Sequence, residues 1–179
     1  DEDRRMLAET GTAVVHNPQS NMGNAVGVTD ILKLIGAGVT VGLGTDGFTS
    51  DILESVKTAN VLVKHMNQHP SIGFGEVMDM AFVNNAKLAD RHFGDTCGVI
   101  RPGARADLIV SDYRPMTRLG PDNINGHITF GMNGHNVTTT ICGGRVLMQD
   151  RELVGIDEEK IQHECRAQAD ALWKSLGAH

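Results

Sequence analysis

No stretch of the 179 residues approaches the roughly 18 uninterrupted apolar residues that a membrane-spanning helix requires, so a membrane partner is not expected. No run of Lys or Arg exceeds two residues, and 16 basic against 22 acidic side chains leave a formal net charge of −6. The positive surface demanded by a nucleic-acid backbone is therefore missing. The three cysteines, Cys97, Cys142 and Cys165, are odd in number, far apart and never in a CxxC pair. This excludes a disulfide framework and a cysteine zinc knuckle, and leaves reduced thiols in a cytoplasmic protein as the expectation. Asp1-Glu2-Asp3-Arg4-Arg5 is the reverse of a charged-then-apolar leader, so no signal peptide is expected, although the chain does not begin with Met.

What is abundant is glycine, 21 residues in all, a share well above the usual value of about 7%. Hydrophobic residues at 40% and charged residues at 21% mark a globular chain, with length for one ordinary domain or parts of two. Residues 2–9 read as the end of an amphipathic helix stopped by Gly11. Thr12-Ala13-Val14-Val15-His16 is a buried strand ended by Asn17-Pro18, and residues 19–27 read as a loop. Thr29 or Asp30 caps a helix over residues 31–35, and Val39-Thr40-Val41-Gly42-Leu43 is a second buried strand. Asp51-Ile52-Leu53-Glu54 has the spacing of a capping box, with Ile52, Val56, Ala59 and Val63 on one helix face. Strand, helix, strand, helix in this order predicts an α/β fold with parallel strands. Residues 76–93 add one or two helices, broken near Asn84-Asn85.

After Gly94 the texture turns to β. Residues 106–110 form a β run, residues 138–141 and 145–148 bracket a Cys142-Gly143-Gly144 turn as a hairpin, and Asp157 caps a last helix. The apolar stripe of that helix is Ile161, Cys165, Ala169, Leu172 and Leu176.

Gly42-Leu43-Gly44-Thr45-Asp46-Gly47 spells G-x-G-x-x-G after a strand, a weak signal for dinucleotide binding. Against it, Asp46 sits where a pyrophosphate would lie, and no acidic residue follows at the ribose distance of about 20 residues. The stronger reading makes Asp46 the point of the loop, because a carboxylate just past a parallel strand faces ligands at the open end of a sheet or barrel. Such a group binds a cation through one oxygen and accepts a proton with the other, or else simply caps the turn. His16 and Asn21 lie at or beyond a strand end, where a histidine serves as hydrogen-bonded structure or as a ligand. His65 and His69 stand four apart, but Met66 replaces the glutamate of the H-E-x-x-H motif, so both are expected to face solvent at a helix end. His92, His127, His135, His163 and His179 share no ligand spacing.

Four stretches together resemble the metal-dependent amidohydrolase superfamily, in the branch of cytosine, guanine and S-adenosylhomocysteine deaminases and chlorohydrolases. They are Leu7-Ala8-Glu9-Thr10-Gly11, Val15-His16-Asn17-Pro18-Gln19-Ser20-Asn21, Gly38 to Gly47, and Gly98 to Val110. Asn21 to Gly27, Asp122 to His127 and Asp150 to Leu153 are similar to its SsnA-like aminohydrolases in particular. The resemblance implies strands seven and eight of a (β/α)8 TIM barrel in residues 1–97 and part of a composite β-sandwich in residues 98–155. It further implies a C-terminal helix in residues 156–179 that packs back on the whole. It makes Asp46 the metal ligand and proton shuttle of a zinc or, alternatively, iron site. His16, Ser20, Asn21, Phe48 and Thr49 then shape the pocket for a small purine-like or pyrimidine-like substrate. The implied reaction is hydrolysis of a C–N bond on a heterocycle, with a C–Cl bond as the lesser alternative, by metal-activated water.

The chain departs from that family in having no His-x-His pair, and its barrel-like part is under 100 residues where a barrel takes about 250. The expectation is therefore a piece of a longer polypeptide, poor at holding metal alone, whose remaining ligands lie outside it. An isolated remnant would associate with its missing N-terminal half or with a second copy. The alternative from another class is a dinucleotide-binding or non-catalytic structural module built on the same glycine loop.

Overall fold

Gly11, with a left-handed φ of 64°, ends the first helix, α1 (Glu2–Glu9), as the pattern requires. The structure is a computed structural model that describes residues 2–177, so the readings touching Asp1, Ala178 and His179 lie outside the described residues. Strand β1 (Val14–His16) pairs in parallel with β2 (Val41–Leu43), in the register Val14–Val41, Val15–Gly42 and His16–Leu43. Both strands are shorter than their apolar runs, because Thr12, Ala13, Val39 and Thr40 fall outside the ladder. The α/β class is confirmed by this parallel pair and its helical crossover.

The expected loop over residues 19–27 is helical in its first part, because α2 spans Pro18–Gly23. Pro18 sits in its first turn, where the missing amide has no helical partner to lose. Asn21 N donates to Asn17 O at 3.0 Å and Asn24 N to Ser20 O at 2.9 Å. The helix α3 (Ile31–Gly36) is capped by Asp30, whose carboxylate accepts from Lys33 N at 3.2 Å and pairs with Lys33 Nζ at 2.9 Å.

Asp51 caps the helix α4 (Ile52–Asn67) by accepting from Leu53 N and Glu54 N at 2.9 and 3.3 Å. The reciprocal half of the box passes through Thr49, whose hydroxyl accepts from Asp51 N and donates to Glu54 Oε2. Leu53, and not Ile52, joins Val56, Ala59 and Val63 on the buried face. Val56, Ala59 and Val63 pack with Ile31, Leu34, Val39, Val41, Leu43, Val77, Met78 and Met80 into one core between the parallel pair and the helices. Each fully buried Val, Leu, Ile or Met side chain among them contributes about 1.5–3 kcal/mol. Val15 points to the opposite face and remains 50% exposed.

The break expected at Asn84-Asn85 is absent. A continuous right-handed path runs from α5 (Phe74–Met78) through a π-helical segment (Asp79–Asn84) into α6 (Asn85–Phe93). The two asparagines do not compete with their own helix backbone, because their carboxamides are turned onto β2.

Four antiparallel strands follow in the order β3 (Leu108–Ser111), β4 (Val137–Cys142), β5 (Arg145–Gln149) and β6 (Glu152–Leu153). The β4–β5 turn is the expected one. Gly143 and Gly144 both have positive φ, 56° and 77°, the demand of a two-residue hairpin turn of this kind. A short turn of helix, α7 (Ile124–Gly126), precedes β4. None of the four strands carries a buried residue.

The final helix α8 (Glu158–Ser175) is capped by Asp157 through Lys160 N at 2.9 Å. It does not pack back on the rest. No residue of it is buried, Ile161 is 48% exposed, and Leu172, Trp173 and Leu176 stand open with it. The stripe is amphipathic but finds no partner surface among the described residues. None of the described helices is long and apolar enough to cross a membrane.

Two substitutions separate core from surface. Met80→Ala, at a fully buried site, should cost about 2–5 kcal/mol in a denaturant titration. Ile161→Ala on the open stripe of α8 should stay within about 0.5 kcal/mol; equal costs would contradict this packing.

Candidate functional site

Neither glycine of Gly42-Leu43-Gly44 has a left-handed φ; each is required by a neighbour that comes close. A methyl group on Gly42 would lie 2.6 Å from Asn85 Oδ1, and one on Gly44 would collide with Asn17 Oδ1 and come 2.8 Å from Val15 Cγ1. Carboxamides thus press on the strand end from both sides. On the β1 side, Gly44 N donates to His16 O at 2.9 Å and extends the pairing by one rung.

The chain then turns sharply, and Asp46 takes a left-handed φ of 52°, a conformation that aspartate tolerates better than most residues. Ser20 Oγ on α2 donates to Asp46 Oδ2 at 2.9 Å, and Gly47 N donates to Oδ1 at 2.6 Å. Asn24 Nδ2 donates to Ser20 Oγ at 3.3 Å. An ionised carboxylate has about four acceptor sites, so these two donors orient Asp46 without saturating it. The residue is exposed, beyond the carboxyl ends of both parallel strands.

The other expected pocket residues divide. Phe48 lies beside the same loop, exposed, with its ring against Gly23 of α2, where a methyl would fall 2.8 Å from Cε2. Asn21 is half-buried on α2, and its carbonyl accepts from Val26 N. Thr49 spends both halves of its hydroxyl on capping α4. His16 is 3% exposed and turned toward the helices, lining a cavity of about 10 Å3 with Asp30, Ile31, Ala59, Val63 and Asn67. Its Nδ1 is buried without a hydrogen-bond partner, and burial holds its pKa below the usual histidine value of 6.5. The structure therefore brings Asp46, Ser20, Asn24 and Phe48 together, and sets His16 and Thr49 apart from them.

Asn24, Asn84 and Asn85 were not legible as site residues. Asn85 Oδ1 accepts from Leu43 N at 3.0 Å, Asn85 Nδ2 donates to Leu43 O at 2.7 Å, and Asn84 Nδ2 donates to Val41 O at 2.8 Å. The one available signal was a pair of asparagines inside an otherwise helical stretch.

By themselves these residues do not make a metal site. Among the described residues there is no group of three His, Cys, Asp or Glu side chains placed to hold an ion. Asp46 offers one carboxylate where zinc takes about four ligands. The G-x-G-x-x-G reading also loses its anion site, because the first amides of α4 are occupied by Asp51, which additionally accepts from Gly134 N at 2.7 Å.

The chain matches the model of the Amidohydrolase family over residues 1–147. It is 42% identical over 156 residues to the 5-methylthioadenosine/S-adenosylhomocysteine deaminase of Thermococcus onnurineus, covering 84% of this chain and 36% of that protein. It is 36% identical over 177 residues to the 5'-deoxyadenosine deaminase of Methanosarcina mazei, covering 96% and 40% respectively. Among solved structures it is similar to an adenosine deaminase from Xanthomonas campestris with bound zinc, at TM-score 0.81 and 26% identity. That match covers 97% of this chain and 40% of that one. The chain therefore spans well under half the length of these relatives.

The buried His16 sets a pH dependence. The unfolded chain takes up a proton near pH 6.5 that the folded imidazole resists, so His16 costs no stability above that pH. Stability falls as the pH drops below it toward the lowered folded value. Denaturation midpoints measured from pH 8 to 5 should show this fall, and His16→Gln should flatten it; an unchanged slope would refute the assignment.

Proposed function

The chain belongs to the amidohydrolase family, and from that premise we propose that the complete protein hydrolyses the C–N bond between a heterocycle and its amino group, with Asp46 as its proton-transferring carboxylate. The observation that carries the reading is Asp46 itself. It stands exposed past the ends of two parallel strands, oriented by Ser20 and Gly47 and left with free acceptor positions.

In this reading β1 and β2 are the seventh and eighth strands of a (β/α)8 barrel. Val15, an apolar side chain left 50% exposed on the face of β1 opposite the helices, is what an inward-facing barrel position would look like, which supports that assignment. The strands β3–β6 are one share of a small β-sandwich, with domain boundaries near residues 97 and 155. The absence of buried residues on that sheet fits a missing second layer. The donors that complete the ion's coordination lie outside this chain's residues, in further polypeptide or a second copy.

A divalent metal, zinc with iron as the alternative, supplies when bound a water acidic enough to ionise near neutral pH. Asp46 accepts the proton released as water adds to the amino-bearing ring carbon, and returns it to the departing nitrogen. Water and the ring amine become a ring carbonyl and ammonia. Ser20 holds the carboxylate in line, while Phe48 and Asn21 border the mouth where a purine-like or pyrimidine-like ring enters. The names of the relatives favour an adenine ring on a nucleoside altered at its 5' position.

Ammonia release from adenosine, 5'-deoxyadenosine and S-adenosylhomocysteine by the complete protein tests this. Asp46→Asn should lower kcat by about 100- to 10,000-fold and reduce bound zinc. Ser20→Ala should lose about 10- to 100-fold, as the loss of a group supporting a metal ligand does. Undiminished turnover in Asp46→Asn would end the proposal.

A further inference from the structure

We propose that Asn85 is a positioning residue for Asp46, its carboxamide holding the peptide groups on either side of Leu43 at the end of β2; the inference rests on the reading of Asp46 given above. The outer edge of β2 presents backbone groups that need partners, because Val41 and Leu43 are buried. Asn85 meets this need at Leu43 with both halves of its amide, accepting from the N–H at 3.0 Å and donating to the carbonyl at 2.7 Å. Asn84 donates to the carbonyl of Val41 at 2.8 Å. A peptide group of an adjacent strand would make the same donor and acceptor pair; here a side chain on a helix makes it.

Three features tie this clamp to the site and not only to the fold. Leu43 is the last residue of β2, and the chain reaches Asp46 three residues later. Gly42 has no room for a Cβ because Asn85 Oδ1 and Leu88 Cδ1 fill that space, so the strand and the carboxamide fit each other closely. The segment leading into Asn85 is wound as a π-helix, a form rare in proteins and frequent at functional sites.

The Leu43 peptide is thus gripped from the α6 side by Asn85, while the next amide, Gly44 N, is gripped from β1 by His16 O. These two holds set the direction in which the Thr45–Asp46 turn leaves the sheet.

Asn85→Leu removes both hydrogen bonds at similar volume, and Asn85→Asp keeps the acceptor while losing the donor. In the complete, zinc-loaded protein, Asn85→Leu should speed amide exchange at Leu43 by about tenfold. It should also lower kcat by about 100-fold, the scale of a 1 Å misplacement, with KM nearly unchanged. Asn85→Asp should fall between it and the parent, and it carries the test alone if Asn85→Leu does not fold. A lowered melting temperature with kcat and KM intact would reduce Asn85 to a structural role and overturn the proposal, as would unchanged exchange at Leu43. Asp46→Asn, assayed beside them, separates the two ideas: if it retains activity the hydrolase reading fails, while Leu43 exchange still reports on the clamp.

Discussion

The hydrogen bond from Gly44 N to His16 O is the last rung between two short parallel strands, and the arrangement beyond it depends on that rung. It brings the residues after β1 and those after β2 out of the sheet side by side. Asn17, at the start of α2, can then press on Gly44, and Ser20, three residues later, can reach Asp46 across 26 positions of sequence. Side chains at these two glycines would push the strand ends apart and separate the carboxylate from its donor. The Gly-x-Gly spacing that imitates a nucleotide-binding loop is here a spacing for two flanking carboxamides.

Much of the local structure was readable because it is governed by near neighbours. Gly11, Asp30, Asp51 and Asp157 stop or start helices where capping chemistry places them, and Gly143-Gly144 makes the hairpin its paired positive φ values permit. The misreadings share a different cause. Residues 18–23 are helical because Pro18 opens a helix as readily as it closes a strand, and the contact this places between Ser20 and Asp46 lies 26 residues away, beyond the reach of local pattern. Asn84 and Asn85 look like helix breakers until β2 supplies their partners, more than 40 residues away.

His16 illustrates the same limit within a site. Its place at a strand end made it a natural pocket residue, yet alternation along β1 decides its side. Val15 takes the open face, so His16 must take the helical one. There burial holds the imidazole's pKa below its usual value, and Nδ1 has no hydrogen-bond partner. On α8 the apolar stripe marks a packing face, but periodicity reports only that a face exists, not that this chain contains the surface to cover it. The open stripe and the uncovered sheet β3–β6 raise the same question.

The conformation of Asp46 bears on whether its carboxylate merely closes a turn. A left-handed backbone costs a non-glycine residue about 1–2 kcal/mol, and glycine would avoid that cost. The contact of Oδ1 with Gly47 N is local, and a turn-capping role accounts for it. The bond from Ser20 to Oδ2 is not local, and the turn has no need of it. Hydrogen bonds to a charged group contribute about 1.5–3 kcal/mol each, enough to offset the backbone strain. The fold therefore invests a buried serine, supported by Asn24, in aiming one oxygen of an exposed carboxylate past the ends of the strands. A turn alone would be served as well by glycine, so the aimed oxygen is the feature that calls for a function.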